Sequence, residues 1–150
     1  MIRQAIPADI EAFERLTERA YAGYLDLLGR RPTPMDRDYR PLIAAGSVWV
    51  EQDLKGGIVL EASGSKLEVY SLVVDPRFSG SGIGRSLLSF AELRAASTGI
   101  KTLRLCTSDK MHRNLSIYRA FGFQEIERLE IAVSASPIVV WLEKNVRDAE

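Results

Sequence analysis

At 150 residues the chain is long enough for one domain with a real hydrophobic core, and its 46% apolar and 27% charged content is that of an ordinary globular protein. Lysine plus arginine and aspartate plus glutamate balance at 20 each, so the basic excess that nucleic acid or an anionic membrane surface would require is missing. With no signal-peptide pattern, no apolar run of membrane-spanning length and Cys106 as the one cysteine, the expectation is a cytoplasmic protein without an intrachain disulfide.

Residues 2–6 predict an opening strand. Pro7 suits a first helical position, and Asp9 and Glu11 favour the positive end of a helix dipole. Ile10, Phe13, Leu16, Ala20 and Tyr24 then form a stripe at helical spacing that ends near Gly29. Pro32, Pro34 and the charges around Asp36 predict an irregular link to a short helix over 39–45. Residues 47–52, 57–62 and 67–74 read as three strands joined by Lys55-Gly-Gly and Ser63-Gly-Ser turns. The third stops at Asp75-Pro76, glycines follow at 80, 82 and 84, and Ile83, Leu87, Leu88, Ala91 and Ala95 restart a helical period. A strand over 102–107 and a helix carrying Asn114 and Tyr118 come next. Two closing strands, 124–135 and 138–144, meet at Ser136-Pro137. This order predicts an α/β sandwich on one mixed sheet.

Strand, glycine-rich turn and helix start together make an anion site, because bare amides and the first helical turn offer unpaired donors and partial positive charge. Gly84 is followed by Arg85-Ser86 and not by Lys-Ser/Thr, which excludes a Walker loop. The Gly-x-Gly-x-Gly spacing is not the Gly-x-Gly-x-x-Gly of dinucleotide enzymes. A glycine turn with no ligand stays open on the loop alone.

Val74-x-Pro-x-Phe-x-Gly80-x-Gly82-Ile83-Gly84-x-x-Leu87-Leu88 resembles the acetyl-coenzyme A (acetyl-CoA) loop of the GNAT superfamily of N-acetyltransferases. Met111-His-Arg-Asn114-Leu-Ser-Ile-Tyr118-Arg-Ala-Phe-Gly122-Phe123 resembles that family's late helix, with Asn114 and Tyr118 four apart on one face. Ile2-Arg-Gln-Ala-Ile-Pro-Ala-Asp9 is similar to its opening strand and helix start, and residues 21–36 are similar to a bacterial branch of it. The resemblance implies a mixed, mostly antiparallel central sheet with helices on both faces. It also implies transfer of an acetyl group from acetyl-CoA to a primary amine by direct attack in a ternary complex.

The resemblance further assigns roles. Backbone amides of Ser79, Gly80, Ser81, Gly82, Ile83, Gly84 and Arg85 would hold the pyrophosphate. Backbone groups of Leu72 and Val74 would pair with the pantetheine arm once their strand parts from its neighbour at 102–107. Asn114 would help hold the coenzyme, and Tyr118 would act as general acid toward the departing thiolate. Family loops usually carry Gln or Arg at position 79 and a long polar residue at position 81; both are serine here, and Arg77 and Arg85 read equally as replacement charge or as solvated surface groups. Glu68 falls where some relatives carry a general base and shares a strand face with Tyr70 and Leu72; it also reads as an exposed charge near a strand end, with a water chain as the alternative base.

Tyr21, Tyr24, Met35, Tyr39 and Tyr70 would line the acceptor site, although the tyrosines equally continue a core stripe. Cys106 reads as a small buried hydrophobe, and His112 has no neighbouring Cys or acidic cluster to form a metal site. The acceptor is an amine of a small molecule or peptide, and a homodimer stays open. A non-catalytic acyl-CoA binding module on the same fold is the rival reading, and a pure interaction domain the third.

Overall fold

The computed structural model describes residues 1–130 and 138–146. Seven strands form one sheet: β1 (Ile2–Gln4), β2 (Val48–Glu51), β3 (Gly56–Ser63), β4 (Lys66–Val74), β5 (Thr102–Ser108), β6 (Gln124–Glu130) and β7 (Ile138–Asn145). Their spatial order is β1-β2-β3-β4-β5-β7-β6, and every neighbouring pair is antiparallel except β4 with β5. The expected mixed, mostly antiparallel sheet is therefore present. The predicted junction at Ser136-Pro137, and residues 131–135 of the predicted closing strand, lie outside the described residues.

Helices cover both faces. One core gathers Phe13 and Leu16 of α1 (Ile10–Ala22), Leu42 and Ile43 of α4 (Arg40–Ala44), and Val48, Val50, Val59 and Val73 of the sheet. The other packs Leu87, Leu88, Ala91 and Ala95 of α5 (Ile83–Ser97) and Leu115 and Tyr118 of α6 (His112–Phe121) against Ile58, Leu67, Leu103 and Leu142. Phe13, Leu16, Leu87, Leu88, Ala91 and Ala95 are the apolar positions whose spacing predicted α1 and α5.

The first helix departs from its predicted course at both ends. Pro7–Asp9 is a 3-10 turn, with the Asp9 carboxylate accepting from the Ile6 N–H at 2.8 Å and from Arg3 at 2.7 Å. α1 then stops at Gly23, a poor helix former, where the Tyr24 N–H turns back to the Tyr21 carbonyl at 2.9 Å. A separate short α2 (Leu25–Leu28) carries the chain to Gly29, and α3 (Thr33–Asp36) occupies the link expected to be irregular. Tyr24 thus leaves the buried stripe.

β4 is the element that shapes the site. It pairs with β5 only through Leu67↔Leu103 and Glu68↔Arg104, after which β4 follows β3 and β5 follows β7. Its register against β3 slips between Val59↔Ser71 and Leu60↔Val69, leaving Tyr70 as the extra residue of a bulge. A bulge bends its strand and flips the side-chain alternation beyond it. Leu67 and Val69 join the α5–α6 core, Tyr70 and Val73 the α1 core, and Leu72 the α5–α6 core. Glu68 and Tyr70 share a face as expected, but Leu72 does not share it with them.

Gly56 lets the first turn of α5 approach the sheet. A Cβ there would stand 2.6 Å from Ile83 Cγ2 and 3.2 Å from Leu87 Cδ1. Because Ile83 is β-branched and stiff, Gly56→Ala is expected to cost about 1–3 kcal/mol by overpacking, read as a fall in the urea midpoint at unchanged m-value.

Candidate active site

β4 runs into Asp75, whose carboxylate accepts from the Arg77 N–H at 3.0 Å and caps the turn Pro76–Phe78. The Ser81 N–H and hydroxyl both donate to the Phe78 carbonyl, at 3.2 and 2.5 Å, which folds the loop onto itself. Gly80 (φ 79°) and Gly82 (φ 88°) are left-handed, with nothing within 4 Å of where a Cβ would stand, so backbone conformation selects glycine there. The first bond of α5 runs from the Ser86 N–H to the Gly82 carbonyl at 3.0 Å, so the Ile83, Gly84 and Arg85 amides precede the helical ladder. That is the donor set an oxyanion or pyrophosphate needs.

A recess of about 140 Å³ opens beside this helix start. Leu72, Val74, Ser79, Gly84, Asn114 and Tyr118 line it, together with Tyr21 and Tyr24. Eight of the residues singled out in the sequence therefore meet at one place. Ser81, Gly82 and Ile83 border a different shallow recess beside Met1 and Glu51, and Arg85 is exposed. Arg77, expected to add positive charge, is taken up by Asp75 through two guanidinium bonds of 3.1 and 2.8 Å. Arg113, which the sequence did not flag, lines the recess and forms no ion pair among the described residues. Its signal was its position one residue before Asn114.

Across the parted strands lies a second cavity of about 500 Å³, lined by Glu68, Tyr70, Cys106, Thr107, Trp141 and residues of the α2–α3 link. Tyr21 and Met111 line both spaces and mark where they meet. Met111 is held there: its sulfur accepts from the Thr107 hydroxyl at 3.6 Å and from Asn114 Nδ2 at 4.0 Å. Met35 and Tyr39 reach neither space. Tyr39 is 1% exposed, with its ring edge-on to Phe13 at 5.0 Å and its hydroxyl donating to the Pro34 carbonyl at 2.5 Å. Met35 borders a polar recess between α1 and α3.

Tyr118 is 7% exposed, its ring centroid 6.0 Å from that of Phe123. Burial pushes its hydroxyl above the ordinary phenol value, so the proton stays on oxygen through neutral pH. Burial also raises Tyr21, to about 12. Partial burial raises the pKa of Glu68 from its ordinary value, with Arg104 3.6 Å away pulling the other way. A raised carboxylate is a better proton acceptor than an exposed one.

Cys106 is exposed in the cavity wall, not buried as expected, because the parting of β4 from β5 uncovers that side of β5. Desolvation, with the charge of Glu68 added, pushes its thiol up to about 11, so it is no thiolate nucleophile at neutral pH. Among the described residues, no three His, Cys, Asp or Glu side chains gather as a metal site, and no helix is long and apolar enough to cross a membrane.

No curated protein matches the chain significantly. Solved structures do. Ribosomal-protein-S18-alanine N-acetyltransferase from Escherichia coli superposes with a TM-score of 0.75 at 15% identity, covering 100% of this chain and 96% of that one. PaiA N-acetyltransferase from Thermoplasma acidophilum, solved in complex with coenzyme A, gives 0.79 at 20% identity over 97% and 98% of the two chains. Ard1 from Thermoplasma volcanium gives 0.79 at 20% identity over 99% and 98%. These likenesses establish the fold. The family profile described as "Acetyltransferase (GNAT) domain" matches residues 44–125, which take in β2 to β5, the glycine loop, α5 and α6. With more than half of its length matched, the chain belongs to the GNAT acetyltransferase family.

Proposed function

We propose that the protein is an acetyl-CoA-dependent N-acetyltransferase that acts on a primary amine by direct attack in a ternary complex. The observation that carries this reading is the gap between β4 and β5, where the recess at the α5 start and the larger cavity meet at Tyr21 and Met111. Two substrates entering from opposite sides of the sheet would come together there.

The residues on the loop side fit the coenzyme. The Ile83, Gly84 and Arg85 amides, free of helical acceptors, suit its pyrophosphate, and the unpaired edge of β4 from Tyr70 to Val74 suits an arm that adds as a strand. When bound, acetyl-CoA supplies an activated acetyl thioester. Tyr118, from the recess side, holds a proton for the departing sulfur. Glu68, the one carboxylate lining the cavity among the described residues, would accept the amine proton. Such an acceptor matters because an alkylamine of pKa near 10.4 is only about one part in 2,500 neutral at pH 7. An amide N–H on the unpaired β4 edge would steady charge on the carbonyl oxygen, worth about 3 kcal/mol for one preorganised donor.

Thermal unfolding with acetyl-CoA, NAD and ATP tests the first half. Acetyl-CoA at 100 times its Kd is expected to stabilise by about 2.7 kcal/mol, or about 5–10 °C, with no shift from NAD or ATP. Gly84→Val, whose added bulk would occupy the approach to the amides, should abolish the shift while the unliganded fold is kept. No shift in wild-type protein freed of copurified coenzyme overturns the reading. A shift without thiol release across an amine panel would instead establish a non-catalytic coenzyme-binding module.

A further inference from the structure

The composition of the larger cavity narrows the choice of amine, an inference that rests on the transferase reading. Among the described residues, its wall carries one carboxylate, Glu68, and one cation, the exposed Arg30; most of the rest is apolar, including Leu28, Pro34 and Val139. Three rings line this space: Tyr21, where it meets the recess, and Tyr70 and Trp141 in the cavity itself, each of which already carries a guanidinium. Arg37 lies over Tyr70 with its central carbon 4.2 Å from the ring centroid, and Arg104 lies over Trp141 at 4.0 Å. Neither arginine lines the cavity. Arg37 is fixed by two bonds to Glu61, of 2.6 and 3.0 Å, and Arg104 sits 3.6 Å from Glu68.

A ring whose π density is drawn toward a cation on one face is a poor host for a second cation on the other. These rings therefore suit an uncharged flat group rather than an ammonium cage. A polycation would leave all but one of its charges against apolar wall, which costs several kcal/mol per unpaired charge. We propose that the acceptor is a compact primary monoamine on a flat apolar or aromatic body, its ammonium at Glu68 and its body against Tyr70 and Trp141.

The single cysteine provides a readout that does not depend on turnover. Cys106 is exposed in this same wall, so its alkylation by N-ethylmaleimide, followed by intact mass, reports occupancy of the cavity. Labelling at about pH 7.5 keeps the added amines mostly protonated, so that they do not consume the reagent, and a longer reaction time offsets the raised thiol pKa. Saturating 2-phenylethylamine is expected to slow alkylation by about fivefold or more, against less than about twofold for spermidine or kanamycin. Trp141→Leu and Tyr70→Leu should each remove at least about half of the protection, and Glu68→Gln should erase the preference for 2-phenylethylamine over uncharged 2-phenylethanol. Two separate ring variants, each checked for folding by circular dichroism, keep the test valid if one is unstable.

Equal or better protection by spermidine or kanamycin overturns the proposal, as does no protection by 2-phenylethylamine. Protection without acetyl transfer to any amine upholds the cavity assignment and sinks the transferase reading. Transfer to spermidine or kanamycin with a higher kcat/KM than to 2-phenylethylamine upholds the transferase and sinks this inference.

Discussion

Tyr118→Phe is expected to lower kcat for acetyl transfer by about 100-fold while leaving the fold and the thermal response to acetyl-CoA intact. The ring is what the core uses: it packs within the α5–α6 core and meets Phe123 edge-on at 6.0 Å. Phenylalanine keeps that packing and loses only the hydroxyl. The raised pKa of Tyr118 makes the phenol a weaker acid, which by itself disfavours donation to a thiolate. The same burial raises the proton affinity of a sulfur anion in the recess, so the two shifts oppose and the transfer remains workable. A second consequence concerns pH. With its proton held well above neutral pH, Tyr118 should not set the alkaline limb of kcat below about pH 10. Unchanged kcat in Tyr118→Phe, measured by thiol release at saturating amine, would remove Tyr118 from the reaction and leave it a packing residue.

Much of this architecture was legible in the chain because its signals are local. Alternating glycines at 80 and 82 announce left-handed backbone, and Leu87, Leu88, Ala91 and Ala95 announce the buried face of α5. The meeting of Leu72, Val74, Asn114 and Tyr118 followed from two motifs whose spacing transfers between relatives. What local pattern could not show were the effects of pairing partners. Leu72 lies opposite to its expected face because the bulge at Tyr70 is a property of β3 and β4 together. Cys106 is uncovered because β4 leaves β5 after Glu68, although its own neighbours read as an ordinary buried strand. Tyr39 looked like a site residue by composition and proved to be a core ring whose hydroxyl ties down the Pro34 carbonyl. Arg77 looked free, and the Asp75 carboxylate two residues away holds it. For Leu72 and Cys106 the pairing of distant strands overrode a reading made from near neighbours, whereas Arg77 is held by a side chain within its own turn.

Asp75 joins the fold to the loop, and its removal should be the most costly substitution for stability. The carboxylate is 1% exposed and accepts four bonds: from the Arg77 N–H, Nε and Nη2 at 3.0, 3.1 and 2.8 Å, and from Arg19 Nε of α1 at 3.1 Å. Truncating one partner of a buried pair typically costs 3–5 kcal/mol, chiefly through the charge left behind. Here the arginines left behind are 42% and 72% exposed and can rehydrate, so Asp75→Ala should fall at the lower end, about 3 kcal/mol, or roughly 6–12 °C in Tm. Because this carboxylate caps the turn at Pro76–Phe78 and anchors it to α1, acetyl-CoA affinity should fall as well. The arginines hold its pKa well below the usual carboxylate range, Arg77 foremost. A folded pKa lower than the unfolded one means that the stabilisation is fully present above the unfolded value, about 3.9, and is lost as pH falls toward the folded value. Urea unfolding should therefore give a constant gap between wild type and Asp75→Asn from about pH 5 to 8, and a narrowing gap below about pH 4. A gap under about 0.5 kcal/mol at pH 7, or one that does not narrow in acid, would show that this carboxylate does not anchor the loop.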